Sequence, residues 1–249
     1  MTQFPQTLQR WRKVRRFSQL DLAGEAGVSA RHIAFLETGR SRPSAAMVAR
    51  LGAALGLPLA ARNQMLTLAG FATRHPGRGW DDAAMAPVRA AIDHVLARHA
   101  PWPALAVDRR WRVTAMNPPA RVLFGTLGVV AGDSLIDLLL SPTLPPLIEN
   151  WPEVAHHAAQ RLRTESAAQG GVAELDAAAD VLGRVPGGGA AAGPVVPTIY
   201  RMGDVRLSLF AILAQFGTPD DVTLDDLKIE LYFPADAASD AALRAMTAA

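Results

Sequence analysis

Ser18-Gln19-Leu20-Asp21-Leu22-Ala23-Gly24-Glu25-Ala26-Gly27-Val28-Ser29-Ala30-Arg31-His32-Ile33-Ala34-Phe35-Leu36-Glu37-Thr38-Gly39-Arg40 carries the signals of two short helices joined by a tight turn. Ser18 stands at an N-cap position with Asp21 three residues on, so a helix is expected over residues 19–26. Gly27 ends it, because the turn asks for a residue that tolerates positive φ. Ser29 caps the next helix, which runs to about Thr38 and stops at Gly39. Ala23 is small where the two helices approach. Leu22, Ala26, Val28, Ile33 and Leu36 form the apolar seam that fixes their angle.

The same kind of reading extends to either side. Leu8, Trp11, Val14 and Phe17 recur at helical spacing, with Arg10, Arg12, Lys13, Arg15 and Arg16 on the other flank. Pro43-Ser44 opens a fourth helix with Met47, Val48, Leu51 and Leu55 inward, and Gly56 and Pro58 close it. A fifth helix over residues 59–69 ends at Gly70. Five helices within some seventy residues make an all-α first domain, and a helix pair of this kind lays its second member in the DNA major groove. Charge agrees: residues 1–79 hold 12 Lys and Arg against 3 Asp and Glu, although the net charge of the chain is only +2. The basic excess sits in one module and is offset by an acidic remainder, and a basic module attracts phosphate backbones by releasing counterions.

Ser-Gln-x-x-Leu-Ala at 18–23, Val28-Ser29, Ile33, Leu-Glu-x-Gly at 36–39 and Arg-x-Arg-Pro-Ser at 40–44 follow one another in order and spacing. Over residues 4–70 this resembles the lambda-repressor-like, XRE-type helix-turn-helix family. The resemblance implies that Gln19 bonds a phosphate and braces a base reader. It places Ser29, Ala30, Arg31, His32 and Phe35 at the exposed positions of the recognition helix. Arg31 is the leading base reader, since a guanidinium engages guanine O6 and N7 together; the alternative is a solvated helix residue. His32 is expected at a phosphate or in solvent. Phe35 touches a thymine methyl or packs on a neighbour. Arg40 and Arg42 lie against phosphates, and Glu37 is expected to be structural, capping or pairing locally.

Residues 71–86, with Pro76, Gly77 and Gly79, form a linker, and 87–249 a second domain of mixed α/β character. Helices are expected at 91–99, 118–124, 150–168 and 172–182. Strands at 104–107 and 111–116 make a hairpin across Asp108-Arg109-Arg110. A Gly/Ala/Pro-rich loop over 183–197 precedes strands at 198–202, 205–216 and 227–233. The last alternates, with Leu227, Ile229, Leu231 and Phe233 expected inward and Lys228, Glu230 and Tyr232 outward. The chain has no cysteine, which excludes disulfides and thiolate chemistry and suits a reducing cytoplasm. The arginine-rich N-terminal segment is no secretory signal. The longest apolar stretch, 122–140, is broken by glycines and aspartates, so no membrane span is expected.

Pro103 to Asn117, followed by a helix containing Leu123-Phe124-Gly125, resembles the opening of a PAS-type sensor. With the fifth helix, and with Phe216-Gly217-Thr218-Pro219-Asp220-Asp221-Val222-Thr223-Leu224-Asp225-Asp226-Leu227 and Glu230-Leu231-Tyr232-Phe233-Pro234-Ala235-Asp236, the second domain resembles the MmyB-like ligand-binding domain that follows an XRE-type head. The resemblance implies a PAS-like antiparallel sheet with helices around an apolar cavity, and a fatty acid as a plausible ligand. Trp111, Met116, Phe124, Leu209 and Phe210 are candidate cavity residues, with plain core as the alternative. Asn117 and Arg112 are candidates for a polar head group, or else serve as cap and surface.

Rival functions have weaker support. Asp81-Asp82, Asp220-Asp221 and Asp225-Asp226 are adjacent carboxylates of the kind that cap turns, and no GxSxG, HExxH or P-loop occurs, so neither catalysis nor a cofactor is expected. His94, His99 and His156-His157 are candidate haem or metal ligands, but neighbouring histidines point to different sides of a helix and no metal site is expected. The expected protein is a cytoplasmic homodimer on a double-stranded operator with inverted half-sites. In the alternative, the second domain only dimerises or binds a protein partner.

Overall fold

A computed structural model of the chain describes residues 3–187 and 194–248. Residues 188–193 of the expected Gly/Ala-rich loop lie outside the described residues, and its described flanks hold neither helix nor strand. The chain forms two units. One is the chain up to Gly77 with Thr164–Ala173 and Pro219–Asp225; the other is Arg78–Arg163, Glu174–Thr218 and the chain from Asp226 on.

The first unit contains the five helices α1 (Phe4–Val14), α2 (Gln19–Ala26), α3 (Ala30–Glu37), α4 (Ala45–Ala54) and α5 (Leu59–Leu68). Helix α1 starts before its first expected apolar residue because Pro5, in its first turn, suits a position with no N–H partner. Ser18 and Asp21 make the reciprocal capping box, and Gly27 turns the chain with φ 63°. Ser29 and Ser44 cap α3 and α4 by accepting from His32 and Met47 N–H. Helix α5 follows Pro58, whose side chain has nothing to offer as a cap. Asp225 supplies the acceptor instead, taking the Leu59 N–H at 2.7 Å from the short helix Val222–Asp225. Phe4, Leu8, Trp11, Leu22, Ile33, Leu36, Leu51 and Met65 pack as one core.

In the second unit α6 (Ala86–Arg98) leads into strands β1 (Ala104–Val107) and β2 (Val113–Met116), then α7 (Pro118–Thr126), α8 (Leu135–Leu140), α9 (Trp151–Ala168) and α10 (Ala173–Leu182). Strands β3 (Thr198–Met202) and β4 (Val205–Gln215) come next, the short helix Val222–Asp225 is α11, and β5 (Lys228–Pro234) and α12 (Ala237–Ala248) close the fold. Helix α9 crosses the boundary between the units at Thr164. The five strands form one antiparallel sheet in the order β2-β1-β5-β4-β3. This PAS-like sheet is the architecture expected from the sequence. The central strand β5 pairs with β1 on one side, Leu105 opposite Glu230 and Ala106 opposite Ile229.

One sheet face buries Ala104, Ala106 and Ile229 against Ile92 and Leu96 of α6. On the other face the register lines up Thr198 and Tyr200 of β3, Leu209, Ala211 and Leu213 of β4, and Glu230 and Tyr232 of β5. This corrects the expectation for β5. Lys228 and Glu230, expected outward, are buried at 6% and 2% exposure, and Tyr232 is half-buried on the cavity wall. The sheet is covered on both sides, so alternation there separates two interiors rather than inside from outside.

Candidate functional site

The candidate DNA interface is α3 and its surroundings. Ser29 is exposed and committed to the cap, while Arg31 projects from the first turn of α3 and is exposed. Its guanidinium carbon lies 5.2 Å from the centre of the Phe35 ring, one helical turn on, a cation–π contact that holds both side chains on one flank. Ala30, His32 and Phe35 are half-buried; Arg40 and Arg42, just past α3, are exposed.

Beneath this surface Glu37, its side chain 1% exposed, receives Arg12 Nε at 2.6 Å and Nη2 at 2.9 Å, and Gln19 Nε2 at 2.8 Å. Arg12 Nη1 also donates to the Phe17 carbonyl at 2.8 Å. Burial alone would raise the Glu37 pKa. The hydrogen bonds from Arg12 and Gln19, with the positive charges of Arg12 and Lys13, outweigh it and hold the carboxyl below its ordinary value. Gln19, expected to reach a phosphate, therefore has its amide nitrogen engaged inside the unit. The buried Glu37 pairs not with near neighbours but with residues 25 and 18 positions upstream, tying α1 and α2 to the end of α3.

The second candidate site is a cavity of about 480 Å³ within the second unit, a size that holds a small ligand. Its walls are the sheet face described above, Phe124 of α7, Leu135, Leu138 and Leu139 of α8, and one side of α9. Val195 and Leu213 line it and are exposed at 47% and 44%, so it reaches solvent on that side. Most of the lining is aliphatic or aromatic. The exceptions are His157 and Arg161 from α9, Thr198 and Tyr200 from β3, and Glu230 and Tyr232 from β5.

Arg161 Nη2 donates to Glu230 Oε1 at 2.6 Å, and the Tyr232 hydroxyl donates to Glu230 Oε2 at 2.6 Å. Trp111, in a left-handed conformation with φ 60°, sets its ring 4.2 Å from the Arg161 guanidinium and 5.5 Å from Lys228 Nζ. Burial first, and the Glu230 charge second, push the Tyr200 and Tyr232 hydroxyls above the ordinary tyrosine value, so both are neutral donors.

Of the six residues singled out for a ligand, Trp111, Phe124, Leu209 and Phe210 line the cavity. Met116 and Asn117 do not. Asn117 is 3% exposed, and its side chain is consumed by structure: Oδ1 accepts from Ala104 and Ala120 N–H, and Nδ2 donates to the Leu96 and Trp102 carbonyls. Arg112 donates to the Gly132 carbonyl at 3.2 Å, away from the lining.

The polar cluster itself escaped the sequence reading. Arg161 and Glu230 are 69 residues apart, and only the charged positions on an otherwise apolar strand hinted at it. Among the described residues no group of three His, Asp or Glu side chains is placed to hold a metal, and no helix is long and apolar enough to cross a membrane. His156 and His99 bond the Pro152 and Tyr232 carbonyls.

Residues 88–246 match the family described as MmyB-like transcription regulator ligand binding domain, and residues 3–65 match one described as helix-turn-helix domain. No curated protein matches the chain.

Proposed function

The chain belongs to the family of MmyB-like transcription regulators, a DNA-binding helix-turn-helix joined to a ligand-binding domain, and from that premise we propose that occupancy of the cavity by an amphipathic molecule with an alkyl chain sets its affinity for an operator. The observation that carries this reading is the cavity of about 480 Å³, walled mainly by Leu, Val, Ile and Phe side chains. The aliphatic part of these walls accepts methylenes, each contributing about 0.8 kcal/mol, and leaves Arg161, Glu230 and the two tyrosines for a polar head. A fatty-acid chain is the simplest tail of this kind.

The head is XRE-type, with Arg31 reading bases, Ser29, Ala30, His32 and Phe35 at the groove, and Arg40 and Arg42 on phosphates. Because one recognition helix spans few base pairs, the working form is a homodimer on inverted half-sites about 34 Å apart. The protein acts in the cytoplasm by binding alone, with no catalytic step and no cofactor.

Titration calorimetry with saturated acids from octanoate to octadecanoate tests the cavity reading. Affinity is expected to rise about fourfold per added methylene until the cavity is full and then to fall. A flat series contradicts the reading. A second reading, in which this domain only brings two copies together, draws on Ile212 of β4, apolar, outside the cavity lining and exposed at 50%. Sedimentation of Ile212→Asp separates the two: loss of the dimer with no saturable alkyl binding in the wild type favours dimerisation alone.

A further inference from the structure

Helix α9 runs from Trp151 to Ala168 with no glycine, and with no proline after Pro152, so nothing in its length favours a kink. Val154, His157, Ala158 and Arg161 along it line the cavity. Its last turn and the turn that follows, Thr164–Ala173, belong to the first unit. Ser166, 1% exposed, stiffens that end: its carbonyl accepts the Gly171 N–H at 2.8 Å and its hydroxyl the Val172 N–H at 2.7 Å.

Within the first unit this turn is seated on α1. Gly170, at φ 85°, lies so close to the Trp11 indole that a β-carbon added there would overlap its six-membered ring. Arg15, one helical turn beyond Trp11, donates from Nη2 to the Ala168 carbonyl at 3.2 Å and sets its guanidinium 5.5 Å from the centre of the Trp11 ring. Trp11 is fully buried, and its Nε1 has no hydrogen-bond partner among the described residues. The indole is therefore held by shape and by the Arg15 cation, and it can shift without breaking a hydrogen bond of its own. Arg12, the next residue of α1, holds Glu37 at the end of α3.

Resting on the reading of the cavity as a ligand site, we propose that the Gly170 turn on Trp11 is the element through which an occupant of the cavity acts on DNA binding. An alkyl chain against Val154, Ala158 and Arg161 displaces α9. The unbroken helix carries that movement to Ala168 and Gly170. The turn then shifts Trp11 and Arg15, and Arg12 passes the shift to the recognition helix through Glu37. Close-packed contacts hold discrete arrangements and do not yield gradually, so a small displacement is enough. Glycine at 170 is what lets backbone and indole meet.

Full-length Gly170→Ala and Gly171→Ala provide the test. Both residues have positive φ, 85° and 94°, so both variants carry the strain of a side chain in the left-handed region. Only the first collides with Trp11, since a β-carbon at 171 has nothing within 4 Å. Calorimetry follows dodecanoate binding, and fluorescence anisotropy follows a selected operator with and without saturating dodecanoate. Wild type and Gly171→Ala are expected to change operator Kd by at least about fivefold on adding dodecanoate, and Gly170→Ala by less than about twofold while still binding dodecanoate. Hydrogen exchange on the wild type gives a second readout that needs no variant to fold: the amides of α1 are expected to change their exchange when dodecanoate binds. A full response in Gly170→Ala, an equal loss in both variants, or unchanged α1 exchange with dodecanoate bound overturns the proposal while the cavity reading stands. Absence of dodecanoate binding to the wild type, or binding with no change in operator Kd, overturns both.

Discussion

Each unit buries one carboxylate against one arginine at the same distance, Glu37 with Arg12 and Glu230 with Arg161, both at 2.6 Å. What surrounds the pairs differs. Glu37 is enclosed by packed helices and shared with Gln19, so its partners are all structural. Glu230 shares its carboxylate with Tyr232 on the wall of a cavity that reaches solvent. The same ion pair can therefore close a helical core or furnish one side of a binding site, and the empty volume beside it makes the difference. Chemistry alone does not distinguish the two pairs.

Removing each carboxylate in turn should expose that contrast. Glu37→Ala strands Arg12 in a packed setting and is expected to destabilise its unit by about 3 kcal/mol. Glu230→Ala strands Arg161 where water can enter from the cavity, and about 1 kcal/mol is expected. Urea unfolding of both variants checks this, and equal losses would mean that the cavity does not hydrate Arg161. Next in size, Arg31→Ala should cost on the order of 1–3 kcal/mol on a selected operator and relax one base preference, with no change in unfolding midpoint because the side chain is exposed. Operator binding at full specificity would remove Arg31 as a reader and leave its contact with Phe35 as its role.

Smaller effects sharpen the same comparison. The Glu37 pKa is held below its unfolded value, so the stabilisation it brings is complete above about pH 4.3, the unfolded value for Glu. It is lost as pH falls through the depressed folded value. Unfolding of residues 1–79 followed between neutral and acid pH should show this loss, and Glu37→Gln should flatten it. Salt should also weaken the binding of that basic fragment to DNA, log affinity falling linearly with log salt. A fragment indifferent to salt would contradict the role given to Arg40 and Arg42.

The two units were also unequally legible. In the first, caps and glycines speak locally: Ser18, Gly27, Ser29 and Ser44 each mark a boundary that depends on its own few neighbours. In the second, strands β3, β4 and β5 were marked by composition, but the side of β5 that mattered was not. A Lys-Ile-Glu-Leu-Tyr alternation looks half-solvated, and only the helices α7 to α9 folding over that face turn Glu230 and Tyr232 inward. Helix α8 has no periodic signal because Leu-Ile-Asp-Leu-Leu-Leu is a single short apolar run, although Ser134 caps it through the Asp137 N–H. Asn117 caps α7 and stands outside the cavity lining, and sequence does not separate the two roles because its four hydrogen bonds come from segments that meet only in the folded unit.

The central claim is that cavity occupancy and operator affinity are linked in one chain. The direct measurement is fluorescence anisotropy of full-length protein on an operator selected from random duplexes, titrated with and without saturating dodecanoate at fixed salt. The expected result is a change of at least about fivefold in Kd, the lower end of ordinary coupling between two sites. An unchanged Kd while calorimetry shows the dodecanoate bound would contradict it.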